Sequence, residues 1–102
     1  MIFSDLKTAI LQHHERYDGG GYPEGIKGED IDIKARIINL TDSFEAMMND
    51  RPYRPALSFT DALKEIEISA GSQFDPEVVK KFFEIVNESP QIFIETGYRI
   101  PG

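Results

Sequence analysis

The chain has 102 residues, 40% of them hydrophobic, no cysteine and a formal net charge of −7. That length and apolar content suit one folded, soluble domain, while the missing cysteines exclude disulfides and thiolate zinc sites and suit a reducing cytoplasm. The acidic balance argues against binding polymeric nucleic acid, whose affinity rests on Lys and Arg at phosphates, and no apolar run nears the roughly 20 residues that span a bilayer.

The first predicted element is a helix over 4–17, with Ser4 as N-cap and Leu6, Ala9, Ile10 and Tyr17 on its apolar stripe. It carries His13 and His14, which at about 100° per residue both fall in that apolar arc and point inward. Neutral imidazole is the commonest protein metal ligand, so the pair reads as half of a metal site; a solvated or packed pair is the alternative. Adjacent helical residues diverge by about 100°, so the pair would serve two ions, or two sides of a cluster, rather than chelate one. Residues 18–30 then read as a loop. Asp18, Gly19, Gly20 and Gly21 supply a turn that lets another backbone or a ligand approach, and Pro23 prevents the helix from resuming. Tyr22 either covers the site and stacks on a base, or anchors the loop by packing.

A second helix is predicted from residue 31 or 32 to 48, its core stripe formed by Ile33, Ile37, Leu40, Phe44 and Met47. Asp42 lies on another face among Ala35, Ile38 and Ala46. A carboxylate in such surroundings needs a partner, whether a backbone amide, an arginine or a metal. Pro52 and Pro55 end this helix and stiffen a turn carrying Arg51 and Arg54, whose planar donor forks suit phosphate; surface ion pairs with Asp50 and Glu45 are the alternative. A third helix runs from Ser58 to Ala70 and stops at Gly71, with Ser58 and Asp61 at capping-box spacing. Asp75 and Pro76 open a fourth as N-cap and first turn, burying Val78, Val79, Phe82, Phe83, Ile85 and Val86. Residues 91–102 are a tail that reads as a short strand, a packed segment or a partner-binding piece. The expected fold is therefore all-α, with about four helices and a glycine-rich loop after the first.

His13-His14-Glu15-Arg16-Tyr17-Asp18-Gly19-Gly20-Gly21-Tyr22-Pro23 resembles the signature of the HD-GYP family, metal-dependent phosphodiesterases that hydrolyse the bacterial second messenger cyclic di-GMP. The resemblance continues through Arg36-Ile37-Ile38, Asp42, Ala46, Asp50 to Arg54 and Phe74-Asp75-Pro76, over roughly residues 6 to 87. It implies an incomplete HD-type helical bundle, with residues 1–90 forming the C-terminal part of the domain. The family's His-Asp pair belongs well upstream of the double histidine, and only twelve residues precede His13. What the resemblance implies for the site is His13, His14 and Asp42 as metal ligands, iron or manganese as the ions, a multinuclear centre in the complete domain, and Arg51 and Arg54 on the substrate phosphate. Asp18, Gly19, Gly21, Tyr22 and Pro23 form the motif loop, which also implies contact with a partner signalling domain. The isolated chain is expected to be weakly active or inert, or to act as a non-catalytic interaction module. Two copies completing one site, and self-association through faces the absent helices would cover, are further expectations.

Overall fold

The computed structural model describes the backbone of residues 2–89 and the side chains of residues 7–89. The predicted tail over 91–102 lies outside the described residues, as does the Leu6 side chain. Among the described residues four α-helices follow in order: α1 (Ile2–Gln12), α2 (Ile33–Met47), α3 (Phe59–Ile68) and α4 (Pro76–Glu88), with a short 3-10 turn at Gly28–Asp30 before α2. Among the described residues there is no β-strand, only isolated bridges joining Arg51 to Arg54 and Ala70 to Phe74. The all-α class and the helix count match what the sequence predicts.

Helix α2 is the hub against which α1, α3 and α4 each pack. Its Leu40 and Phe44 join Phe59, Ala62 and Ile66 of α3, Phe74, and Val79 and Val86 of α4 in one buried cluster. Phe44 meets Phe59 and Phe82 edge-on at centroid distances of 5.8 and 5.1 Å, the geometry that aromatic quadrupoles favour. Each large side chain withdrawn from water here contributes about 1.5–3 kcal/mol. The caps of α3 and α4 are those the sequence predicts. Ser58 Oγ accepts from Asp61 N at 3.1 Å, and Asp75 accepts from Glu77 N at 2.8 Å with Pro76 in the first turn. Asp32 caps α2 by accepting from Lys34 N at 2.8 Å. The Asp75 carboxylate also pairs with Arg36 of α2, and Arg36 in turn donates to Ile31 O at 3.0 Å. That pair ties the start of α4 to the first turns of α2.

Four expectations fail. Helix α1 begins at Ile2, so Ser4 is inside it rather than capping it, and it stops at Gln12 instead of reaching Tyr17. The cause of the early stop is Glu15, which is 2% exposed and accepts from Glu24 N at 2.8 Å and Ile26 N at 3.2 Å. Pairing that carboxylate with two loop amides pulls the chain out of helical register, and hydrogen bonds to a charge outweigh one more turn of intrinsic propensity. The α2 stripe is also rotated. Leu40 and Phe44 are buried as predicted, but Ile33 and Ile37 are 46% and 45% exposed, and Ala35 takes the buried position instead. Ile85 of α4 is likewise 49% exposed.

Candidate metal and phosphate site

Because α1 ends at Gln12, His13 and His14 occupy a turn at its C-terminal end and are not on a helical face. The inference from helical divergence therefore does not hold. The two rings lie 3.9 Å apart between centroids, and His14 is solvent-exposed rather than turned inward. His13 Nδ1 donates to Ile10 O. A carbonyl partner requires the proton on Nδ1, which leaves the Nε2 lone pair as the nitrogen able to bind a metal. On its other side, His14 stacks on Tyr22, with centroids 4.9 Å apart and planes inclined by 20°. Tyr22 is still 61% exposed. Both readings of this tyrosine thus have a counterpart, since one ring face packs on the site and much of the ring remains open.

The motif loop folds back on the histidines. Tyr22 N donates to His14 O at 3.3 Å, and the Tyr22–Pro23 peptide is cis. A Cβ at Gly21 would stand 2.4 Å from both His14 O and Arg16 N, so the third glycine permits a backbone approach that any side chain would prevent. Asp18 accepts from Gly20 N at 2.9 Å and from Arg16 Nε and Nη2 at 3.2 Å each. The Arg16 guanidinium, and after it the Gly20 amide, hold the Asp18 carboxyl below the usual carboxylate range. Gly19 N donates to Arg16 O at 2.9 Å and closes the turn.

Helix α2 supplies the opposite wall. Asn39, Asp42, Ser43 and Ala46 recur at the three- and four-residue spacing of one helical face and line the same recess as His13, His14 and Tyr22, a space of about 370 Å³. His13, His14 and Asp42 thus line the same recess. Asn39 Nδ2 bridges the two walls, donating to His13 O at 2.8 Å and Glu15 O at 3.2 Å. Its Oδ1 is buried without a hydrogen-bond partner among the described residues. Ser43 Oγ donates to Asn39 O at 2.7 Å and accepts from Gln73 Nε2 at 3.1 Å, which extends the polar lining to the turn before α4.

These residues fit a divalent ion in part. Two imidazoles, one carboxylate and an orphaned amide oxygen suit a hard or borderline cation and its bound water. Among the described residues, however, no group of three or more His, Cys, Asp or Glu side chains is drawn close enough to hold an ion alone.

The predicted phosphate arginines stand apart. Neither Arg51 nor Arg54 lines the recess; they pair through their backbones, and Arg54 donates to Pro55 O at 3.0 Å and Ala46 O at 3.3 Å. They make no ion pair among the described residues, and Asp50 instead accepts from Ala56 N at 2.8 Å. Asp75 is an N-cap and ion-pair partner. Sequence reasoning missed Asn39, Ser43, Gln73 and the anchoring role of Glu15. For the two α2 residues a signal existed, because Asn39 and Ser43 share the helical spacing of Asp42 and Ala46.

Residues 2–78 match a model of a family described as the HD domain. A cyclic di-GMP phosphodiesterase of Thermotoga maritima is 41% identical over 83 residues, covering 81% of this chain and 23% of the relative. The cyclic di-GMP phosphodiesterase response regulator RpfG of Xanthomonas campestris pv. campestris is 46% identical over 69 residues, or 68% of this chain and 18% of the relative. The 3'3'-cGAMP-specific phosphodiesterase 3 of Vibrio cholerae is 36% identical over 93 residues, or 91% and 20%. Among solved structures, a cyclic GMP-AMP specific phosphodiesterase of V. cholerae superposes with a TM-score of 0.74 at 27% identity, covering 87% of this chain and 20% of that one. The chain thus spans about a fifth of the length of these relatives.

Proposed function

Because the chain belongs to the HD domain family and carries the HD-GYP signature, we propose that it is the C-terminal part of a metal-dependent phosphohydrolase acting on the phosphodiester of cyclic di-GMP or a related cyclic dinucleotide. The observation that carries the proposal is that His13, His14 and Asp42 line one recess together with Asn39, whose Oδ1 is buried without a partner among the described residues. His13 would bind through Nε2, its tautomer set by the Ile10 carbonyl, and Asp42 would supply charge from the facing helix. A divalent ion held there, iron or manganese by the resemblance and one of a multinuclear set in the whole domain, supplies an acidified water and neutralises charge at phosphorus. Three protein ligands leave such ions under-coordinated, which supports the reading that the remaining ligands come from outside this chain. Arg51 and Arg54, the phosphate contacts that the resemblance implies, stand outside the recess, whereas Tyr22 offers a ring face for a base.

Grafting the chain in place of the matching segment of the Thermotoga maritima relative tests this reading. The graft should hydrolyse cyclic di-GMP, and His14→Ala or Asp42→Ala should slow it by at least about 100-fold, the scale of losing a ligand-supported ion. The 102-residue chain alone should be weak or inert. A folded but inactive graft, or full activity from the short chain, would contradict the proposal. The exposed Tyr22 favours a second reading, in which the Gly-Tyr-Pro loop docks on a partner signalling domain. Substituting Tyr22 would then abolish a binding event and leave hydrolysis by the graft intact.

A further inference from the structure

We propose that Arg16 receives the anionic oxygen of a phosphoryl ligand in the recess, with Asp18 holding its guanidinium in place. The proposal deepens the phosphohydrolase reading and rests on it. Arg16 is the one Lys or Arg side chain lining the recess among the described residues; Arg51 and Arg54 do not line it. Its orientation is set by a two-point contact, Nε and Nη2 donating to the two Asp18 oxygens at 3.2 Å each. A guanidinium fastened along its Nε edge keeps the Nη1–Nη2 edge for a second planar acceptor, and Nη1 has no partner among the described residues. Both side chains of the pair are 38% exposed, so that edge is reachable from solvent.

Glycine keeps the space beside it open. A Cβ at Gly20 would sit 3.1 Å from Asp18 Oδ1 and 3.6 Å from Arg16 Cδ and Nε, pressing on the fork. The Gly20 amide meanwhile donates to the same Asp18 oxygen as Arg16 Nε, so the loop and the guanidinium are set by one carboxylate. The chemistry follows from this pairing. Asp18 cancels much of the Arg16 charge at a distance, so the contribution to a ligand is directional hydrogen bonding at contact rather than long-range attraction. A planar fork makes that contribution and a point charge on a flexible stem does not, so lysine should be a poor replacement.

The test is titration of the 102-residue chain with inorganic phosphate, and separately with cyclic di-GMP, followed by backbone amide shifts. Arg16→Gln and Arg16→Lys should each weaken phosphate binding by about tenfold or more, the scale of one charge-assisted contact. Lys64→Ala, which removes an exposed charge on α3, should change it less than about twofold. Arg16→Lys, which keeps the charge, carries the test if Arg16→Gln disturbs the loop. Wild-type affinity in both Arg16 variants, shifts centred on Arg51 and Arg54, or no phosphate binding by the wild type would each overturn the proposal. Arg16-dependent phosphate binding without cyclic di-GMP binding would support it while removing the dinucleotide reading. Cyclic di-GMP binding indifferent to Arg16 would overturn it and leave that reading in place.

Discussion

At the scale of single residues, the site depends on acids that no simple motif identifies as structural. Glu15 is the clearest case, because its buried carboxylate both ends α1 and fastens the loop at Glu24 and Ile26. Glu15→Ala should lower unfolding stability by about 2 kcal/mol, the scale of losing hydrogen bonds to a charged group, as read from urea denaturation. A loss below about 0.5 kcal/mol would mean the loop holds without it. Asp18 makes a pH prediction. Its carboxyl is held down by Arg16 first and Gly20 second, so its clasp is complete above the ordinary aspartate range and weakens as pH falls through the lowered folded value. Carboxyl-carbon NMR should show Asp18 titrating below the usual aspartate range, and Arg16→Gln should move the midpoint upward. An unchanged midpoint in that variant would remove Arg16 as the cause.

At the scale of elements, the caps separate by what each carries. Ser58 caps α3 alone, so Ser58→Ala should cost about 1 kcal/mol. Asp75 caps α4 and also pairs with Arg36 while only 4% exposed, so Asp75→Ala should cost about 3–5 kcal/mol by leaving a guanidinium mostly buried without its carboxylate. Equal losses from the two variants would show that the ion pair adds nothing. Much at this scale was legible in sequence: four helices, the proline that opens α4, and both caps follow from local chemistry. The end of α1 was not legible, because it is decided by amides nine and eleven residues beyond Glu15. The rotation of α2 was not legible either. Ile33 and Ile37 satisfy helical periodicity as well as Ala35 does, and only packing selects among them. The site was half visible: imidazole chemistry drew out His13 and His14 and the family resemblance added Asp42, whereas Arg16, Asn39 and Gln73 owe their places to how the loop and the turn before α4 meet α2.

At the scale of the whole molecule, apolar surface remains open on the first two helices. Ile10 and Leu11 of α1 are 54% and 56% exposed, and Ile33 and Ile37 of α2 are open as well. That accords with a chain spanning about a fifth of its relatives, and it predicts self-association at high concentration. Sedimentation of the wild type should show concentration-dependent mass, and Ile33→Glu with Ile37→Glu should reduce it; a strictly monomeric wild type would contradict this.

His13, His14 and Asp42 are proposed as part of one metal centre on the recess they line. The most direct measurement is divalent manganese titrated into the isotope-labelled chain, with paramagnetic broadening of amide signals mapped along the sequence. Broadening should concentrate around residues 13, 14, 39 and 42 and should vanish in the His13→Ala/His14→Ala variant. Broadening spread over the acidic surface, or unchanged in that variant, would contradict it.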